Sequence, residues 1–321
     1  MLIDTEQRAR TARANPHNLR IIVAPPVPIP PTVAVRKPAR APGWQALRLY
    51  LRNPAAMSGT LLLLLIVAAA LAAPWLYPGD PLDMVAQPLL WPGQDGQYWL
   101  GTDSLGRDLA AGVVHGARAS LLIGVAAAAI GLTIGTVIGA CAGYFGGRVD
   151  GALGRLMELF QATPSFLLII VVVSIAPPTI GVIALTIGAT SWTTVARLVR
   201  AEFRTLKQRD FVLAARSLGY SNAHIIVREI LPNALPPIIV TTSVMVATAI
   251  LMESALSFLG LGDPNRVSWG SLIGSGRDML RTDWYLTAIP GTAIIVAVLS
   301  LNLVGDGLNE ALNPRLRSRT E

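Results

Sequence analysis

The feature that most constrains this chain is a series of apolar runs, each about 20 residues long and nearly free of charge. At roughly 1.5 Å per residue, a helix of that length crosses the about 30 Å of hydrocarbon in a bilayer. Six candidate spans follow, over about 57–77, 119–143, 158–176, 179–199, 234–258 and 285–305. Between the third and fourth, only Ala176, Pro177 and Pro178 break the pattern. That break reads as a tight hairpin rather than one kinked helix, because two spans' worth of residues surround it. Composition agrees, since 52% hydrophobic and 14% charged residues with a mean hydropathy of +0.53 exclude an ordinary soluble domain. The expected fold class is all-α, a polytopic membrane protein with six transmembrane helices and a cytosolic coupling helix pair.

The flanks divide the chain further. Residues 1–42 carry Pro25, Pro26, Pro28, Pro30, Pro31, Pro38 and Pro42 among scattered arginines, which reads as a disordered cytosolic tail. Over 43–56, the run WQALRLYLR from Trp44 to Arg52 suits an interfacial helix with its arginines facing lipid phosphate. The transmembrane domain then occupies 57–321. Its first apolar run begins behind a polar stretch, so it reads as a retained anchor rather than a cleavable signal. An inside N-terminus puts all but five of the 26 Lys and Arg residues in the cytosol, the exceptions being Arg107, Arg118, Arg266, Arg277 and Arg281. Both termini are therefore expected in the cytosol, with the spans in the cytoplasmic (inner) membrane.

Several function classes are excluded. The net charge of +7 does not indicate nucleic acid, because the basic residues fall between apolar runs and not along one stripe. The lone Cys141 permits no intrachain disulfide, and His17, His115 and His224 are too isolated to form a metal site. A phosphate-binding loop needs a Gly-Lys step, yet Lys37 and Lys207 follow Arg36 and Leu206. No catalytic, metal or cofactor-binding set is assigned, so uphill transport would need a partner or an ion gradient.

The loop over about 200–232 is the most specific stretch. Asp210 is placed to cap one helix, Gly219 to end it in a left-handed turn, Ser221 to cap a second helix and Pro232 to stop that one. An amphipathic helix pair of this kind either rests on lipid or docks on a partner. Span two carries Gly131, Gly135, Gly139 and Gly143 at four-residue spacing, either a close-packing ridge or a flexible gating helix. Glu253, near the outer end of span five, either completes a structural hydrogen-bond network or lines the substrate path. In the external loop, Arg107 and Asp108 either pair with local backbone or meet a delivering protein.

The run AARSLG, followed downstream by Glu229 and Leu231-Pro232, resembles the coupling signature of permease subunits of ATP-binding-cassette importers. YWLGTDSLGRDL (98–109), ILMESALSFLGLG (250–262), SWGSLI (268–273) and NLVGDGLNEALNPRLR (302–317) resemble the dipeptide and oligopeptide branch, in the order of its second permease subunit. Leu213 and Glu229 depart from the broad family pattern, which often has Glu and Ile there. The resemblance covers about residues 44–317. It implies ATPase coupling through Asp210, Ala214, Ala215, Gly219, Ser221, Leu231 and Pro232. It also implies a homologous second permease, one or two cytosolic ATPase subunits that hold the ATP and magnesium, an extracytoplasmic peptide-binding protein and a membrane lipid setting. Similar permeases carry nickel chelates or glutathione-like solutes. An ion-coupled secondary transporter is the competing class; it requires intramembrane relay residues and often internal repeats, and here Glu253 is one candidate while no repeat is found. A scaffold recruiting partners through its Pro-rich tail leaves the spans without a purpose.

Overall fold

The computed structural model describes residues 43–312. The Pro-rich stretch over 1–42 and the basic end with Arg315, Arg317 and Arg319 lie outside these residues. The described residues form helices joined by turns and loops, with one isolated β-bridge between Thr102 and Asp108.

Helix α1 (Gly43–Arg52) ends where Asn53 turns extended and caps α2 (Pro54–Leu76), its Oδ1 accepting from Ala56 N at 3.0 Å. The interfacial helix expected over 43–56 is therefore shorter, because Pro54 starts the next helix at the position where its missing N–H is no loss. The second apolar run lies inside a longer helix, α3 (Leu109–Phe145), which starts well before the expected 119. The cap supplied by Asp108, and not the onset of apolarity, sets that boundary; its side chain accepts from Ala110 N at 2.8 Å.

The expected third span, 158–176, is not a single helix. It is divided between α4 (Gly147–Ala162) and α5 (Ser165–Ile175), which meet at a bend of 79°. Pro164 explains the break, since it forces the preceding Thr163 out of the helical region, to φ −93° and ψ 127°. The break at Pro177 and Pro178 separates α5 from α6 (Ile180–Leu206), which Thr179 caps by accepting from Val182 N at 3.3 Å. Beyond the 200–232 loop, α9 (Leu231–Phe258), α10 (Trp269–Gly276) and α11 (Tyr285–Leu312) complete the bundle. Among the described residues, five helices are each long and apolar enough to cross a membrane: α2, α3, α6, the continuous segment Asn222–Phe258, and α11; the bent pair makes a sixth crossing when taken as one span.

Glycines set the helix directions. A β-carbon at Gly131 would lie 3.1 Å from Gly188 O, one at Gly135 2.6 Å from Trp192 O, and one at Gly143 2.7 Å from Arg200 O, while Gly139 faces Ala196 O. Both helices advance by four residues in the same sense, so α3 and α6 run parallel with their backbones almost in contact. A parallel pair requires the chain between them to return to its starting side, and α4 with α5 provides that return. The α3–α9 and α2–α11 pairs are antiparallel. Gly124 meets Ile250 and Gly131 meets Met245 of α9, while Gly59 meets Leu303 and Gly307 meets Ala56 across α2 and α11. Asn53 Nδ2 donates to Glu310 Oε2 at 2.6 Å, placing both ends of the described chain at the same end of the bundle.

The seam gives a direct test. Gly139→Leu places atoms where Ala196 O and the Val199 Cβ already stand, and overpacking of this kind costs about 1–3 kcal/mol or more. Its yield and thermal midpoint in detergent should fall. Gly151→Ala, on an α4 position with open space, should leave both unchanged or slightly raised.

Candidate functional site

The segment after α6 folds back on the end of α3. Lys207 Nζ donates to Tyr144 O, and its ammonium lies 5.5 Å from the Tyr144 ring centroid. Helix α7 spans Asp210–Ser217, and its N-cap is Arg209, not Asp210. Arg209 takes the extended conformation a cap requires, so Asp210 becomes the first helical residue and contributes its negative charge to the helix N-terminus. The helix ends in a Schellman turn: Tyr220 N donates to Ala215 O at 3.2 Å and Gly219 N to Arg216 O at 3.0 Å. Gly219 has φ +78°, the left-handed conformation this turn needs. Ser221 then caps α8 (Asn222–His224), its Oγ accepting from His224 N at 3.3 Å.

Pro232 does not stop this second helix. Six residues, Ile225–Ile230, form a π-helical turn that carries α8 into α9 without interruption. The widened turn accommodates a proline that has no N–H to give, with Leu231 N bonding to Ile226 O. Asn233 Nδ2 donates to Glu229 O at 2.5 Å, satisfying a carbonyl in that stretch.

The two helices thus form a hairpin with distinct faces. Val212, Ala215, Ile225 and Ile230 are buried together in the main core, and Leu231 packs at its edge. Ala214 is exposed, as are Leu213, Leu218, Tyr220 and Val227, with Leu218 at 73%. The adjacent alanines therefore differ: Ala215 packs inside the hairpin and Ala214 lies on its exposed face. Tyr144, which the sequence gave no reason to select, is the seat. Its hydroxyl donates to Asn222 Oδ1 at 2.7 Å, and Arg216 lies 6.0 Å from its ring centroid. Next to it, Asp150 of α4 accepts from Arg200 and Arg204 of α6, a buried carboxylate clamping the two helices.

At the opposite end of the bundle, the 98–109 motif folds on itself. Gly101 and Gly106 adopt positive φ where the chain passes Leu90 O and Ala86 O. Asp103 accepts from Leu105 N at 2.8 Å and Arg107 N at 2.9 Å. Burial pushes the Asp108 carboxyl above its ordinary pKa, with the Ala110 and Ala111 N–H groups pulling it back. The buried Glu253 accepts from Ser257 Oγ at 2.7 Å and Ser120 Oγ at 3.3 Å, and Ser120 Oγ in turn accepts from Trp269 N at 3.2 Å. The network joins α3, α9 and α10, and Glu253 lines none of the cavities described below. Gly131, Gly135 and Gly139 face α6 in the seam. Among the described residues, no group of three or more His, Cys, Asp or Glu side chains is arranged to hold a metal.

Comparison with known proteins supplies the context. Residues 131–318 match the family described as binding-protein-dependent transport system inner membrane component, and residues 42–92 match the N-terminal TM domain of oligopeptide transport permease C. The chain is 39% identical over 281 residues to a di/tripeptide transport system permease protein, DppC, of Pseudomonas aeruginosa, covering 86% of this chain and 92% of the relative. It is 37% identical over 281 residues to the oligopeptide transport system permease protein OppC of Haemophilus influenzae, covering 85% and 89%. Among solved structures, an inward facing MetNI methionine ABC transporter aligns with a TM-score of 0.53 at 15% identity, over 63% of this chain and 96% of that one. At that identity the likeness is one of fold.

Tyr144→Phe removes the hydroxyl that holds Asn222, a bond worth about 0.5–1.5 kcal/mol. Amide exchange over 210–224 should speed up by roughly two- to tenfold. Exchange in the α3–α6 seam should stay as it is.

Proposed function

This chain belongs to the family of binding-protein-dependent transport system inner membrane components, and we propose that it forms half of the pathway of a peptide importer driven by separate cytosolic ATPases. The outward face of the 210–230 hairpin carries the reading. Leu213, Leu218 and Tyr220 expose apolar surface beyond the end of α6, and Val227 does so near the start of the helix that continues into α9. That surface is suited to a protein groove, with Ala214 small enough to allow close approach.

In this reading the hairpin end of the bundle faces the cytosol, which also puts Arg48, Arg52, Arg148 and Arg155 on the basic side. Asp210, Ala214, Gly219, Ser221, Leu231 and Pro232 shape the docking element, and Ala215 supports it from within. ATP and magnesium act in the partner subunits, whose closure moves the hairpin as a unit and rocks the attached spans. A homologous permease supplies the other wall of the pathway, and an extracytoplasmic binding protein delivers the cargo to the face bearing Arg107 and Asp108. The names of the relatives, DppC and OppC, support peptides as the cargo class.

The test uses a position that is exposed and structurally undemanding. Leu218→Asp should leave accumulation of the chain in the membrane unchanged, abolish copurification of ATPase subunits from mild detergent and lower peptide uptake at least tenfold. Ala215→Glu should instead reduce accumulation, because it buries a charge inside the hairpin. Full uptake by the Leu218 variant would overturn the docking assignment.

A further inference from the structure

At the end of the bundle opposite the hairpin, residues from α2, α3, α6 and the loop after α9 enclose an open cavity of about 1020 Å³. Two guanidinium groups line it, Arg118 from α3 and Arg266 from the loop, and both residues are exposed. Arg118 lies about 13 Å along α3 from Leu109, at roughly 1.5 Å per residue. At 37 residues, or about 55 Å, α3 is longer than the hydrocarbon is thick, so this position lies toward the membrane edge, where its exposed guanidinium borders the cavity.

The acidic residues of the same wall, Asp80 and Asp263, accept from backbone N–H groups. Asp263 accepts from Asn265 N at 3.0 Å and Ile180 N at 3.2 Å, and Asp80 accepts from Leu82 N at 2.9 Å. Among the described residues, Arg118 and Arg266 make no ion pair and no side-chain hydrogen bond. A smaller neighbouring cavity of about 120 Å³ shares Asp263 and Arg266 with the first and is also lined by Arg107. The Arg107 Nε is buried and has no hydrogen-bond partner among the described residues. Three guanidinium groups thus border adjoining cavities together with the carboxylates of Asp80, Asp103, Asp108 and Asp263, which accept from backbone N–H groups.

We propose that Arg118 and Arg266 form a carboxylate subsite that takes the C-terminal carboxylate of the transported peptide as it enters the pathway. The proposal rests on the peptide-import reading above. A guanidinium fork matches a carboxylate in geometry and charge. The C-terminal carboxylate is also the one anionic group that peptides share whatever their side chains, so a subsite for it serves cargo of varied sequence.

The experiment uses the whole transporter with its partner subunits in proteoliposomes, under saturating binding protein. Uptake of a tripeptide is compared with uptake of the same tripeptide as its C-terminal amide. In the Arg118→Gln, Arg266→Gln double variant the acid-to-amide uptake ratio should fall about tenfold, the scale of one lost charge-assisted bond. Arg266→Gln alone, on an exposed loop, should lower the ratio in part, and Arg118→Lys should lower it less than Arg118→Gln. An unchanged ratio overturns the subsite. Equal loss with both peptides, accompanied by a higher half-saturating concentration of binding protein, assigns the pair to docking of that protein and also overturns it. Uptake of neither peptide by the unsubstituted transporter removes the import reading itself, and the subsite with it.

Discussion

The bundle depends on the close approach of two backbones. Along the α3–α6 seam, glycines at 131, 135, 139 and 143 let carbonyls of the opposite helix sit where a β-carbon would stand. In lipid there is little hydrophobic force to hold helices together, so contact of this closeness supplies the packing energy. The pairing also decides topology, because two parallel helices joined by a single connecting segment oblige that segment to cross back. Breaking the return into α4 and α5 places Asp150 at the hairpin end, where it clamps α6 just before the chain leaves the bundle.

Much of this was legible in the sequence, and the parts that were not share a cause. Apolar runs identified the spans because lipid demands length and apolarity together. They misplaced the start of α3 and hid its continuation past His115 and Arg118, because helix boundaries are set by caps such as Asp108 and not by hydropathy. Pro232 was read as a stop on local grammar, whereas the structure widens the preceding turn to take it. Gly219 and Ser221 act as their chemistry suggested, since a left-handed turn and a helix cap are local devices. Tyr144, Asn222 and Asp150 were invisible because their partners are distant along the chain; a tyrosine ending an apolar run carries no mark that it will seat a hairpin. The adjacent alanines at 214 and 215 look equivalent in one dimension, and only the fold turns one inward and the other outward.

The continuity of the second hairpin helix has a mechanical consequence. Because the π turn carries α8 into α9 without a loop, the segment Asn222–Phe258 is one helix reaching from the hairpin to the Glu253 network. On that side the hairpin is therefore joined to α9 by continuous helix and not by a loop. Its compliant points are the π turn and the prolines at 236 and 237, where the ladder of backbone bonds is already interrupted. Beyond them the helix is tied by Glu253 to Ser120 of α3 and, through that serine, to Trp269 at the start of α10. Two strands of connection thus leave the hairpin, one through Tyr144 into the rigid α3–α6 seam and one through α9. They converge again on α3 at Ser120, two residues from Arg118 in the wall of the cavity at the opposite end of the bundle.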